Sequence, residues 1–179
     1  MTTTTQYYVA SSVDGFIADR EGKLDWLMQF GFEEFTAGYE AFLAEVAVVV
    51  MGSETYEWVR AEGHAWAYPE QTAWVLTRRD LPRMEGGDIR FAHGDVRDLH
   101  AEWVEAAQGR NIWIVGGGQV AAQVADAGLL DEIVLTTMPV VLGAGTPLLP
   151  VGTATGVLEV SGTEVLPSGA IASRYRITR

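Results

Sequence analysis

Ile112-Trp-Ile-Val-Gly-Gly-Gly-Gln-Val120 carries the most informative structural signal in this chain. An apolar run of buried-strand type feeds three consecutive glycines, and a helical pattern from about Gln119 to Ala127 follows. Glycine suits such a turn for two reasons. A Cβ would hold a ligand off the backbone, and a tight strand-to-helix turn calls for φ values closed to other residues. The following helix aims the positive end of its dipole at the same spot, so a nucleotide or another phosphorylated ligand is the first expectation. A turn that only packs strand on helix has the same appearance, and the motif alone does not choose between them.

Working outward, strands and helices alternate with no linker-like composition, and residues 1–179 read as one domain. Gln6 to Ser11 is predicted as a first strand, closed by the turn-forming Asp14-Gly15. Phe32, Phe35, Tyr39, Phe42 and Val46 recur at spacings of three and four, which predicts one amphipathic helix through Val46. Ala47 to Met51 is short, β-branched and apolar, as in a strand buried on both faces. Thr72 to Thr77 and Asp88 to Ala92 read as further strands, and Asp95 caps a helix bearing Val96, Leu99, Trp103 and Ala106. After the glycine turn come a helix to Ala127, a Gly128 C-cap and a strand from Glu132 to Met138. Gly156 to Leu166 and Ala170 to Thr178 flank Pro167-Ser168-Gly169, the signal of an antiparallel hairpin. The fold class is α/β, a mixed sheet finished by that hairpin.

Composition bounds the partners. Hydrophobic residues make up 48% and charged residues 20%, a globular balance. With 24 acids against 12 bases the formal charge is −12, and this field repels nucleic acid and anionic membrane surfaces. There is no cysteine, which removes disulfides, thiolate nucleophiles and thiolate-bound metal. No apolar run reaches membrane-spanning length and Met1 to Thr5 carries no signal-peptide pattern, so a cytoplasmic location is expected.

Two further turns match the first. Met51-Gly52-Ser53-Glu54-Thr55-Tyr56 again follows an apolar strand and opens a short helix, Glu54 to Arg60, although Ser53 by itself reads as an N-cap. Leu76-Thr77-Arg78-Arg79-Asp80-Leu81-Pro82-Arg83 gathers three of the 12 basic residues at the exit of another strand. Such arginines clamp phosphate by charge-assisted hydrogen bonds, or else pair with nearby acids in a solvated loop. Parallel strands would bring all three turns to one sheet edge.

Gly116-x-Gly118-x-x-Ala121 fits the Rossmann fingerprint formally, but the acid due at the end of the next strand is absent. That end reads Thr136-Thr137-Met138-Pro139, while Asp131 and Glu132 stand at its start. The Rossmann assignment is rejected.

The order of the short motifs instead resembles the dihydrofolate reductase-like superfamily, and within it the reductase domain at the C-terminus of riboflavin-biosynthesis deaminase–reductases (the RibD C-terminal family). The motifs are Ser11-Ser-Val-Asp-Gly-Phe-Ile-Ala18, Leu24-Asp-Trp-Leu27, Met51 to Tyr56, Leu76-Thr-Arg78, Val115-Gly-Gly-Gly118, Ala127 to Ile133 and Pro139 to Pro147. The resemblance implies a three-layer fold with a mixed, mostly parallel sheet flanked by helices. It also implies NADPH as hydride donor and a small heterocyclic substrate. That substrate would be an aminouracil ribosyl or ribityl phosphate, as for 5-amino-6-(5-phosphoribosylamino)uracil reductase, or a pterin. Gly52, Ser53 and Thr55 would then lie along the pyrophosphate, and Thr77, Arg78 and Arg79 would hold the adenosine 2′-phosphate. Val115, Gly116, Gly117, Gly118, Gln119 and Val120 would meet the pyrophosphate and nicotinamide, with a cis peptide between paired glycines. Ala10, Asp14, Gly15 and Ile17 would border the nicotinamide, and Asp25 and Trp26 would form a loop closing over the substrate. Homodimers are common in this family, and the stretch Val134 to Leu149 with the hairpin is the candidate interface.

Departures from the family pattern shape the rest. Relatives carry an arginine where this chain has Ser53, so Arg78 or Arg79 must bear more of the 2′-phosphate. The lysine of the riboflavin enzymes' first strand is replaced within Tyr7-Tyr8-Val9. For the folate reductases' helix acid only Glu33 and Glu34 offer themselves, and they read better as first-turn acids. Asp14 or Asp25 would relay the proton, although Asp14 beside Gly15 also reads as a turn residue. His64, His93 and His100 read as surface residues, and Trp66 and Tyr68 as lid candidates. A nucleotide-binding or dimerisation module without turnover is the other class of function the fold allows.

Overall fold

The computed structural model describes residues 2–61, 63 and 65–178. His64 therefore lies outside the described residues. The chain runs β1 (Thr5–Ser12), β2 (Phe16–Ala18), α1 (Asp25–Met28), α2 (Glu33–Ala44), β3 (Val46–Gly52), α3 (Ser53–Ala61), β4 (Thr72–Leu76) and β5 (Asp88–Ala92). It continues with α4 (Val96–Ala107), β6 (Asn111–Gly116), α5 (Gly118–Asp126), β7 (Glu132–Met138), β8 (Thr146–Pro147), β9 (Leu158–Val165) and β10 (Ile171–Ile177).

An eight-stranded sheet has the order β5-β4-β3-β6-β1-β7-β10-β9. Pairing is parallel from β5 through β7, and β10 runs antiparallel to both β7 and β9. Alternation assigns the two faces. Val48, Val50, Ile112, Ile114 and Tyr7 pack under α4 and α5, while Val49, Met51, Trp113 and Val75 pack with residues of α2 and α3. A run that is apolar at every position, such as Val46 to Met51, is what a strand covered on both sides requires. The expected three layers and terminal hairpin are present. Gly169 turns the hairpin with φ +83°.

One prediction fails at a boundary. The helical spacing from Phe32 does not continue to Val46, which begins β3, because α2 ends at Ala44. The coincidence of period arises because a fully buried strand entry and a helix face are both apolar.

Trp113 is the centre of the α2-side core. Its ring meets Phe42 edge-on at 5.4 Å, Tyr68 at 5.6 Å and Tyr8 at 5.9 Å, and Tyr8 stacks on Phe42 at 4.4 Å. Trp66 and Tyr68 belong to this core and are not lid residues. Both are buried, and the Trp66 indole donates to the Tyr68 carbonyl at 2.9 Å.

Burial raises the phenol pKa of Tyr7, Tyr8, Tyr39 and Tyr68. Below the ordinary value near ~10 both folded and unfolded chains keep these protons. Above it the unfolded chain sheds protons that the native state retains, so stability falls as pH rises. The urea midpoint is expected to show no loss from these phenols up to about pH 9.5 and to drop beyond about pH 10. Phenolate absorbance from the buried Tyr7 and Tyr68 should appear only together with unfolding. Ordinary titration of these two in the intact fold would contradict this assignment.

Candidate active site

The parallel strands deliver their C-terminal ends to one edge, in the order β5, β4, β3, β6, β1, β7. Four turns follow from it: His93-Gly94 after β5, Thr77-Arg78-Arg79 after β4, Ser53 after β3 and Gly117-Gly118 after β6. Neighbouring strands lie ~4.8 Å apart, so the three steps from β4 to β1 cover about 14 Å. Two clefts stand at the ends of this line.

The three glycines serve three different purposes, and none has the positive φ that the turn was expected to need. Gly117 is extended, with φ −85° and ψ −178°, which other residues also adopt. A Cβ built on it meets nothing within 4 Å. A Cβ on Gly116 would come to 3.2 Å from Thr55 Oγ1, and one on Gly52 to 3.3 Å from Val120 Cγ2. These contacts bring the β3–α3 and β6–α5 turns side by side. A Cβ on Gly118 would strike the carbonyl oxygens of Pro147 at 2.4 Å and Leu148 at 2.8 Å. The crowding at Gly118 is therefore with the chain itself, and only Gly117 leaves open space. The Gly116–Gly117 peptide is cis.

Ser53 is the first residue of α3 rather than its cap, and Gly52 precedes it at the end of β3. Gln119 is exposed, Val120 is buried and Val115 packs on the α2 side of the sheet.

The smaller cleft, about 290 Å³, lies among Thr77, Arg78, His93, Gly94, Val120 and Gln123. The two neighbouring arginines differ. Arg79 pairs with Glu57, its two guanidinium nitrogens at 3.3 and 2.6 Å from the two carboxylate oxygens. Its backbone N–H donates to Thr77 Oγ1 at 2.9 Å. Arg83 donates to the Ile89 carbonyl and lies over Phe91. Arg78 lines the cleft, and no ion pair to it occurs among the described residues. The basic loop thus divides into Arg79, paired with an acid, Arg83, held on a backbone carbonyl, and Arg78, which lines the cleft. His93, read from sequence as a surface residue, is exposed but lines the same cleft.

Tyr56 holds this loop in place. Its buried hydroxyl donates to the Pro82 carbonyl at 2.7 Å and accepts from Met84 N at 2.9 Å. Tyr56→Phe leaves both backbone groups without that partner and is expected to cost about 1–2 kcal/mol of stability. A urea melt of the variant measures it. An unchanged midpoint would mean that water replaces the hydroxyl without loss.

The larger cleft, about 490 Å³, sits over the C-terminal ends of β1 and β7 beneath α2. Ala10, Tyr8, Phe35, Tyr39, Thr136 and Met138 are among its walls. Periodicity explained Phe35 and Tyr39 as a core-facing stripe. Only the placement of α2 over β1 and β7 shows that part of the stripe faces open space. Phe32, at the mouth, is 61% exposed.

Asp14, expected as a proton relay, does not line this cleft. Its Oδ1 accepts from Ser12 Oγ at 2.7 Å and Leu142 N at 3.0 Å, and its Oδ2 accepts from Gly143 N at 2.7 Å. The Ser12 hydroxyl, followed by the Leu142 amide, holds the carboxyl below its usual range, which keeps it ionised at neutral pH. Asp14 clamps the segment after β7 against the β1–β2 turn, beside the backbone bonds Val13 N to Val140 O and Leu148 N to Gly15 O. Part of the stretch expected at a dimer interface is therefore used within the chain.

Asp25 and Trp26 form the short helix α1 and not a loop. Asp25 is exposed, whereas Trp26 is buried with Met138 and Ala170, against Ala10, Leu27 and Phe35. Its indole N–H is buried without a hydrogen-bond partner among the described residues. Ile17 is half-buried on β2 and lines neither cleft. Glu34 accepts from Ser168 N at 3.1 Å and so braces the hairpin, and Glu33 is exposed. His100 is half-buried and hydrogen-bonded to Thr5 Oγ1 at 2.8 Å, which corrects its reading as a surface residue.

The fold and the sheet-edge site define an α/β protein of the dihydrofolate reductase-like class. The chain belongs to the RibD C-terminal domain family, whose model matches residues 68–171. It is 33% identical over 160 residues to the uncharacterized protein YwjB of Bacillus subtilis (strain 168), across 89% of this chain and 90% of that one. A protein provisionally assigned to riboflavin biosynthesis in Shewanella sp. PV-4 superposes with a TM-score of 0.86 at 27% identity, covering 99% of this chain and 100% of that one. Enterococcus faecalis dihydrofolate reductase, solved with NADP(H), gives 0.69 at 18% identity over 98% and 97% of the chains, a likeness of fold. No helix among the described residues is long and apolar enough to cross a membrane.

Proposed function

We propose that this chain is an NADPH-dependent reductase of a small nitrogen heterocycle, of aminopyrimidine or pterin type. The observation that carries the reading is the linear arrangement along the sheet edge. An arginine with no ion pair among the described residues, in a small cleft, two adjoining strand–glycine–helix turns and a large apolar cleft follow one another in strand order. An extended dinucleotide has this shape, with its 2′-phosphate at Arg78, its pyrophosphate along Gly52, Ser53, Thr55 and Gly116 to Gly118, and its nicotinamide at Ala10. The open space over Gly117 is the observation that fits a bound group, since a Cβ there would occupy it without touching the protein.

When bound, NADPH supplies the hydride. The chain's own residues orient the two reactants and exclude water from the apolar cleft. Trp26 stands behind the substrate cleft as a buried indole donor in its wall cluster, and Arg78 replaces the arginine that relatives carry at the Ser53 position. A homodimer belongs to the same reading. Strand β9 ends the sheet and leaves Val160 59% and Val165 70% exposed, with Val157 just before it 91% exposed.

Tryptophan fluorescence titration with NADPH and NADH tests the cofactor site, and loss of NADPH absorbance across a heterocycle panel tests turnover. Binding of NADPH with turnover supports the reductase. Tight binding with no turnover across the panel would favour a nucleotide-binding module, and binding of neither cofactor would sink the reading.

A further inference from the structure

We propose that the cleft over β1 and β7 takes a flat, neutral or cationic heterocycle bearing no phosphate, so that the hydride acceptor of this chain is an unphosphorylated ring. The proposal rests on the reductase reading and names its substrate class. Its first support is size. A cleft of about 490 Å³ holds a ring system of the size of an ordinary small-molecule ligand. Its second is the surface offered. Tyr8, Phe32, Phe35 and Tyr39 line it with aromatic rings, against which a planar ring packs, with extra attraction if the ring is cationic.

The third support is charge. Among the described residues lining the cleft there is no lysine, arginine or histidine, and the single formally charged side chain is Glu40. A phosphate brought here would give up its hydration, find no cation, and face a carboxylate. Two arginines need accounting for. Arg174 exerts its charge on Tyr8, but its guanidinium is held by Glu132 at 3.1 Å. Arg78 stands at the β4 end of the edge, about 14 Å of strand spacing from β1. Tyr8 and Tyr39 keep their protons, since burial is the main influence on both, and so they add hydroxyl donors without charge. The chain therefore separates its ligand chemistries. Arg78 lies in the small cleft at one end of the edge, and an apolar cleft with one carboxylate lies at the other.

The test uses three matched pairs that differ only by a phosphate: uridine and its 5′-monophosphate, riboflavin and its 5′-phosphate, and thiamine and its monophosphate. Each is titrated calorimetrically into the full-length protein saturated with NADPH, with a separate NADPH titration alongside. At least one unphosphorylated member is expected to bind, with its phosphate ester roughly tenfold weaker or worse. Phe35→Ala should weaken that member, and Glu40→Lys should shrink the discrimination severalfold, each variant first checked for a native thermal melt. An ester that binds as tightly as its parent, or the failure of every parent to bind while NADPH binds, overturns the proposal. If NADPH itself does not bind, the reductase reading fails separately. The same ratios, measured on the free protein, then decide the cleft's preference.

Discussion

Gly118→Ala is expected to destabilise the fold by about 3 kcal/mol, while Gly117→Ala, one residue away, is expected to leave it intact and weaken NADPH binding. The new methyl at Gly118 has nowhere to go, because it meets two backbone carbonyls at 2.4 and 2.8 Å. Backbone cannot swing aside as the end of a flexible side chain can. The Leu148 carbonyl also accepts the Tyr7 hydroxyl at 2.9 Å, so displacing the segment breaks a second tie. For a chain of this size the loss corresponds to a melting temperature lower by roughly 6–12 °C. At Gly117 the backbone is extended and the methyl touches nothing. Such a replacement restricts the unfolded chain and is neutral or stabilising by up to about 1 kcal/mol. NADPH affinity is nevertheless expected to fall by roughly 10- to 100-fold, because the methyl occupies the space the cofactor would use. Thermal melts and NADPH titrations of both variants separate the two roles. A Gly117→Ala protein with native affinity would show that no ligand passes over this turn, and a Gly118→Ala protein with native stability would refute the packing account.

Arg78→Ala is expected to weaken NADPH by about 10- to 100-fold and to leave NADH nearly unchanged, which erases the preference between them. A charge-assisted hydrogen bond to phosphate is worth about 1.5–3 kcal/mol, and NADH lacks the phosphate that would receive it. Arg79→Ala should change the NADPH affinity less than threefold, since its guanidinium already holds Glu57 at 2.6 Å. That exposed pair contributes little to stability, so the variant should melt close to wild type. Fluorescence titration of the two single mutants measures both effects. Equal losses at the two positions would mean that Arg79 releases Glu57 to bind the ligand. No loss at Arg78 would remove the 2′-phosphate site from the small cleft.

Sheet, hairpin and most helices were legible in the chain, because their signals are local. A run apolar at every position marks a strand covered on both faces, Asp95 caps α4 through Arg97 N at 2.8 Å, and Gly169 makes the hairpin turn. Recurrent glycine and arginine turns after apolar runs pointed to one sheet edge, and the parallel pairing of β5 through β7 does bring them there. Less legible was what each turn residue does. The glycines were expected to need unusual φ values, yet the constraint at Gly118 comes from Pro147 and Leu148, distant in sequence.

The alternation of elements, the net charge and the family can be read along the chain, because periodicity, composition and motif order are one-dimensional properties. Which arginine holds an acid, which carboxylate is a clamp and where α2 leaves a cleft depend on packing between distant segments. Arg78 and Arg79 are adjacent and chemically identical, and they differ only because Glu57 lies beside one of them. Asp14 is a clamp because Leu142 and Gly143 come to it from more than a hundred residues away. The aromatic stripe of α2 is partly core and partly cleft wall according to what stands opposite it, and a one-dimensional pattern cannot hold that information.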